Sequence, residues 1–261
     1  MKTPDNILRN FWRAVKRSTA TTIGLHILLA LSAGALLAQP SGGPYGPIPQ
    51  TWPIPEVGGT IYYVAPDGDA SSVGTSLGKP TTIEAAFKRV VTGDAIIMRG
   101  GIYRTGDLYL NQGVLIQPYL DEQPVMKGTQ IVKDWEALRD GVWATSWDRL
   151  FPDAPQDWWR YEREAMRTPL HKFNNDMVFV DGQYLQSAGW MGEVDENKFF
   201  IDYDLGRVYI GVDPTNREVE ITAYNVAIHR VLDEVHGKKA DDRGFTCVEL
   251  NLLSMPIEFL R

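Results

Sequence analysis

Asp241 and Asp242 stand side by side, shortly after His236-Gly237. A carboxylate pair suits acid–base attack on a glycosidic bond when its groups lie about 5–9.5 Å apart. Adjacent strand residues point to opposite faces, which keeps such a pair from converging. Between Lys238-Lys239 and Gly244 the pair reads instead as a charged turn. His229 and His236 are seven residues apart, with Arg230, Asp233 and Glu234 between them. A metal centre needs convergent ligands with supporting groups behind them, and no compact His/Asp pattern supplies one, so the reading is a solvated face and no metal. His171, near Lys172 and Asn174, is equally isolated. Asp202 and Asp204 flank Tyr203, but fall short of the roughly six to eight oxygens that Ca2+ takes, and read as solvent-facing turn residues. No pattern names a cofactor. Aromatic chemistry remains. A sugar lays its C–H face on an aromatic plane, and tryptophan has the largest plane together with a polar N–H. Trp158, Trp159 and Trp190 are the candidate ligand-binding residues, against the alternative that tryptophan in a small β-rich region packs into its core.

Short β-branched and aromatic runs must position any such site. They fall at Ile61–Val64, Ala95–Met98, Leu108–Leu110, 114–117 and 125–126, between Gly, Pro, Asn and Asp punctuation. The step from Ile96 to Leu115 is 19 residues, near the lower end of the roughly 20–50 residue periods of solenoids. One helix interrupts the runs, at 82–91. Thr81 suits its N-cap, with Glu84 at capping-box spacing. Ile83, Ala86, Phe87, Val90 and Val91 share one face, with Glu84, Lys88 and Arg89 elsewhere. Gly93 ends the helix and Asp94 opens a strand. An amphipathic helix here predicts a plug, because a solenoid leaves its apolar interior open at each end.

Certain motifs carry a resemblance. They are Tyr62-Tyr63-Val64-Ala65-Pro66-Asp67-Gly68, Lys79-Pro80-Thr81-Thr82-Ile83, Gly93-Asp94, the stretch from Arg99 to Arg104, and the runs 114–119 and 123–128. With them the chain resembles the N-terminal end of right-handed parallel β-helix proteins, the pectate-lyase-like superfamily. The match is close over residues 60–128 and looser beyond. The resemblance implies an all-β chain, a right-handed parallel β-helix with an N-terminal capping helix. It implies a secreted or cell-surface protein, of a group rich in polysaccharide lyases and glycoside hydrolases. It transfers no catalytic residue. In polygalacturonase-type hydrolases of this superfamily the Asp pair precedes the His-Gly, and here the order is reversed.

The N-terminus reads as a signal peptide over residues 1–38. Lys2, Arg9, Arg13, Lys16 and Arg17 form a basic region, and an apolar run from Ile23 to Ala38 is broken only by His26 and Ser32. That run is short for a span of roughly 20 residues, and cleavage is expected near Ala35 or Ala38. Contact with a membrane is expected only through an uncleaved segment. Removing residues 1–35 leaves 21 Lys/Arg against 32 Asp/Glu, a net charge of −11. Such a surface repels nucleic-acid phosphates, so nucleic acid is excluded as a partner, while a polysaccharide or glycan is allowed. Export to periplasm, cell surface or medium is the expectation. Cys247 is the one cysteine, which rules out an internal disulfide and leaves stability to the core.

Residues 39–59 carry Pro40, Pro44, Pro47, Pro49, Pro53 and Pro55 and read as an extended linker. Residues 60–130 read as the cap and first coils. From 131 to 220 the rhythm breaks into a tryptophan-rich β insertion, with Asp181-Gly182 as a hairpin turn. Glu218 to Thr222 then reads as a return to the solenoid, with further coils over 221–261. The tail from Cys247 lacks turn punctuation, and the chain reads as truncated. Three functions compete. One is a carbohydrate-active enzyme, lyase or hydrolase, lacking most of its active-site coils. The others are a non-catalytic adhesion or glycan-binding protein and an inactive truncated product. A fold by itself does not choose among them.

Overall fold

The computed structural model describes residues 51–138, 141–152, 155–160, 167–248 and 251–253, with Trp159 and 251–253 as backbone alone. The expected signal segment, most of the proline-rich linker and the residues from Ser254 onward lie outside them. The described chain is all-β with one α-helix. It begins with β1 (Ile61–Val64), α1 (Ile83–Arg89), β2 (Ala95–Met98), β3 (Gly101–Arg104), β4 (Leu108–Leu110), β5 (Leu115–Pro118) and β6 (Pro124–Lys127). It continues through β7 (Thr129–Ile131), β8 (Glu136–Ala137), β9 (Trp143–Ser146), β10 (Val178–Val180), β11 (Gln183–Tyr184) and β12 (Gln186–Ser187). The last strands are β13 (Lys198–Asp202), β14 (Arg207–Ile210), β15 (Val219–Thr222), β16 (Ile228–Arg230), β17 (Thr246–Cys247) and β18 (Asn251–Leu253).

Three ladders are parallel throughout. One runs β1-β2-β5-β17, a second β3-β6-β18, and a third joins β4 to β16. Their registers stack like on like: Tyr62, Ile96, Ile116 and Cys247 form one column. Ile96 pairs with Ile116 rather than Leu115, so the repeat step is 20 residues, one more than the hydrophobic spacing suggests. Gly101–Arg104 adds a strand beyond the runs counted in the sequence. The inward residues form one core that includes Val64, Ile96, Met98, Tyr103, Leu110 and Met126.

Helix α1 joins that core through Ile83, Ala86, Phe87 and Val90. Its N-cap is Thr82, not Thr81: the Thr82 hydroxyl accepts from Ala85 N–H at 3.2 Å. Thr81 is still strand-like, donating its N–H to the Tyr63 carbonyl while its own carbonyl accepts from Ala65. Val90 leaves helical geometry at ψ 142, which takes Val91 off the apolar face to 48% exposure, against the sequence expectation. Seven residues are too few for a stable isolated helix, and α1 is held from outside. Lys238 Nζ donates to the carbonyls of Lys88 (2.8 Å) and Val90 (2.7 Å), a cation at the helix C-terminus.

A second core is antiparallel except where β12 runs parallel to β13. Sheet β11-β10-β15-β7 faces sheet β12-β13-β14-β9-β8 over Val178, Val180, Phe199, Ile201, Val208, Val219 and Ile221. Asp181 and Gly182 turn β10 into β11 with φ of 49° and 76°, the twist that a two-residue hairpin requires. Strand β15 lies antiparallel to both β10 and β7. It therefore belongs to this sandwich, and the expected return to the parallel ladders at Glu218 to Thr222 comes later, at β16. Alternating β-branched residues fit either sheet, which is why the sequence pattern misplaced it. Trp135, Trp143 and Trp147 pack half-buried on this core.

The two cores meet through charge. Glu220, buried in β15, takes Lys127 Nζ at 2.8 Å, Arg104 at 3.2 Å and the Thr129 hydroxyl. Burial opposes its charge, yet Lys127, Thr129 and Arg104 hold its carboxyl below the usual range. Arg104 and Lys127 are register partners on β3 and β6, so the parallel ladder itself places both cations.

Candidate functional site

The region around Trp190 gathers a flat aromatic surface and polar groups. Ala188 N–H donates to the Phe199 carbonyl, fixing the exit of β12 beside β13. Beyond it the chain makes a short turn over Met191–Glu193. Gly192 lets the Trp190 indole lie against the backbone: a Cβ there would come within 2.1 Å of its six-membered ring. The residue is nonetheless 62% exposed. Glu193 fixes the ring at its edge. Its carboxylate accepts the Gly189 N–H at 2.9 Å and the indole N–H of Trp190, and both hold its pKa below the usual range. His171, on the turn Leu170–Phe173, lies against Gly189, where a Cβ would meet its ring at 3.1 Å. Burial and Lys172 push the His171 pKa down, with Glu193 opposing, so the imidazole is neutral near pH 7. Leu170 and Met191 leave apolar surface beside it.

Such a site can take a sugar's C–H face on the indole and its hydroxyls on Glu193 and His171. His171 and Glu193 were not sequence candidates for this site. Glu193 comes to Trp190 through the short turn they share, and His171 through a tertiary approach at Gly189. The other candidates lie elsewhere. Trp158, 69% exposed on the turn Asp157–Arg160, donates its indole N–H to Gln156 at 2.5 Å. Trp159 shares that turn, and its side chain lies outside the described residues.

Comparison with known proteins adds a fold-level parallel. A solved structure of XylC in complex with xylose matches with a TM-score of 0.50 and 17% identity, over 66% of this chain and 33% of that one. The likeness is one of fold. This chain spans about a third of the length of XylC in that structure. A structure of a glycoside hydrolase gives a TM-score of 0.43 at 11% identity, over 76% and 51% of the two chains. One of pectate lyase Pel9A gives 0.24 at 25% identity, over 26% and 20%. No family model and no curated protein matches the sequence.

A second polar group lies on the β4–β16 ladder. His229 and Tyr109 are register partners, and their rings stack at 4.5 Å and 12°. His229 Nε2 lies 2.9 Å from Asp107 Oδ1. Asp107 reaches it from a left-handed backbone (φ 50°), a conformation aspartate tolerates better than most residues. With the proton on Nε2, the carboxylate orients the imidazole and leaves the lone pair on Nδ1. Reading His229 as one member of a solvated face missed this pair, since its partners lie some 120 residues earlier in the chain.

The remaining candidates hold turns. His236 sits at φ 53° in a tight loop, its pKa pulled down by burial, Lys238 and Lys88, with a hydrogen bond to the Tyr109 backbone opposing. The Asp241 carboxylate is held at about 2, chiefly by the Thr92 side chain and then by the Arg243 N–H. A general acid needs the opposite shift. Asp202 accepts the N–H groups of Asp204 and Leu205, closing the turn between β13 and β14. Among the described residues, no three His, Cys, Asp or Glu side chains converge on a metal position.

Proposed function

We propose that this chain is an exported carbohydrate-active protein on a right-handed parallel β-helix, and that it holds glycan on Trp190. The observation that carries the glycan reading is the Trp190 indole, packed against Gly192 and 62% exposed. The three parallel ladders with stacked inward columns support the β-helix reading. The fold likeness to XylC, a protein captured with xylose, goes with the carbohydrate reading. In this reading residues 60–130 are the cap and first coils, and the antiparallel sandwich is an insertion that carries the glycan site out from them. Export rests on the basic segment and apolar run of residues 1–38, and N-terminal sequencing of secreted protein beginning near Gln39 would support it. Binding is the activity this geometry favours. Hydrolysis would need a carboxyl with a raised pKa at the scissile bond; Asp241 has the reverse, and Asp176, which burial does raise, is engaged by the Phe151 N–H and the Tyr203 hydroxyl.

The test is calorimetric titration of neutral and acidic oligosaccharides into wild type and Trp190→Ala. Base–aromatic and sugar–aromatic stacking both depend on one open ring face, so loss of the indole should weaken binding by about tenfold or more. Unchanged affinity in Trp190→Ala would remove the site from the proposal.

A further inference from the structure

We infer that the Trp190 platform selects uncharged sugar rings over uronates. This rests on the glycan reading above and goes further, to the class of sugar. The first argument is geometric. An indole lying on Gly192, with its N–H held by Glu193, offers one fixed apolar plane. A plane of that kind rewards a pyranose face made of C–H groups, and does so without any charge on the ligand.

The second argument is electrostatic. The stretch 186–198 carries Glu193, Asp195 and Glu196 against Lys198 alone. Lys198 pairs with Asp195 at 3.1 Å and also acts on Glu193 at longer range, so one cation is shared among three carboxylates. Lys172, next to His171, is the other cation in the neighbouring turn. Glu193 touches both the indole edge and the Gly189 N–H, which places a fixed negative charge at the rim of the stacking plane. A carboxylate only accepts hydrogen bonds, so it suits the hydroxyl donors of a neutral sugar and repels the carboxylate of a uronate. Two unit charges about 5 Å apart near a surface differ enough from a neutral pair to shift affinity by roughly tenfold at low salt. The chain's net charge of −7 acts in the same direction.

The probes are xylotriose, cellotriose and trigalacturonate, titrated into the full chain at low salt and again at about 1 M salt, where the screening length falls to about 3 Å. Wild type should bind the two neutral trimers about tenfold more tightly than trigalacturonate, and high salt should shrink that ratio. Glu193→Gln should shrink it at low salt by raising trigalacturonate affinity relative to xylotriose. Gly192→Ala, which lifts the indole, should weaken all three ligands, as should Trp190→Ala. If trigalacturonate binds wild type as tightly as the neutral trimers and Trp190→Ala loses all of them, the selectivity is overturned while the glycan site stands. A ratio unmoved by both salt and Glu193→Gln would also overturn it. If no trimer binds, the glycan reading itself fails.

Discussion

In the ladder core, residues that touch are far apart in the chain: Ile116 stacks beneath Cys247, 131 positions later, and Leu108 lies beside Ile228. In the sandwich core, two pairings are hairpins between sequence neighbours: β10 turns into β11 at Asp181-Gly182, and β13 into β14 across Asp202 to Arg207. The ladder is parallel, so each added strand needs a crossover, and here the crossover from β5 to β17 contains the whole sandwich. The sandwich adds antiparallel pairings over long separations, Tyr209 with Ala144 and Ile221 with Gln130. The ladder is therefore held by columns of side chains, the sandwich by hairpins together with long-range pairs, and Glu220 ties them together. Long-range ladders delay the loop-closure cost until stacking repays it, while hairpins meet theirs early.

The largest effect should come from breaking the ladder's plug. Phe87→Asp puts an unpaired charge against Val64 and Leu110, and should cost about 4 kcal/mol, or roughly 10 °C in thermal midpoint. An unchanged midpoint by calorimetry would show that α1 does not seal the core. Next is the tie between cores. Glu220→Ala strands Lys127 and leaves Arg104 with Glu218 alone, and should cost about 3 kcal/mol. It should also split a single unfolding transition into two in a calorimetric scan, since the sandwich then has less reason to follow the ladder; one sharp transition in the variant would mean the cores are joined by packing alone.

A smaller effect belongs to the sandwich. Gly182→Ala forces a Cβ into φ 76° and should cost about 1 kcal/mol. Amide exchange should rise in Val178–Tyr184 and stay unchanged in the ladders; uniform change would contradict local closure. The smallest effect is pH-dependent. Both His171, in the sandwich, and His236, near the ladder's helix, have folded pKa values below the ordinary 6.5. Each therefore takes up a proton more readily unfolded than folded, so its contribution is complete above about pH 6.5 and declines as pH falls below it. Urea midpoints at pH 7.5 and 5.5 should differ less in His171→Gln and His236→Gln than in wild type.

Much of the ladder was legible because its strands are short apolar runs bracketed by Gly, Pro and Asp. The helix was legible too, through Ile83, Ala86 and Phe87. Its boundaries were not, because backbone pairing at Thr81 competes with capping, and nothing in the spacing shows that Tyr63 claims the Thr81 N–H. Trp190 could be named as a candidate from residue type alone. Its partners could not, since His171 is 19 positions away and approaches only because Gly189 has no side chain. The grouping of His229 with Asp107 and Tyr109 escaped notice for a related reason: pairing of β4 with β16 has no local signature.

The sequence by itself determined an all-β chain with one amphipathic helix, the Asp181-Gly182 hairpin, and a net negative charge. These depend on period, turn chemistry and formal charge, all of which are local or additive. The tertiary structure alone decided that β15 joins the sandwich, that Glu220 bridges two cores, and that Trp190 lies open beside Glu193 and His171. Each of these depends on which surfaces meet across long separations. An alternating strand fits two sheets equally well until one of them buries it.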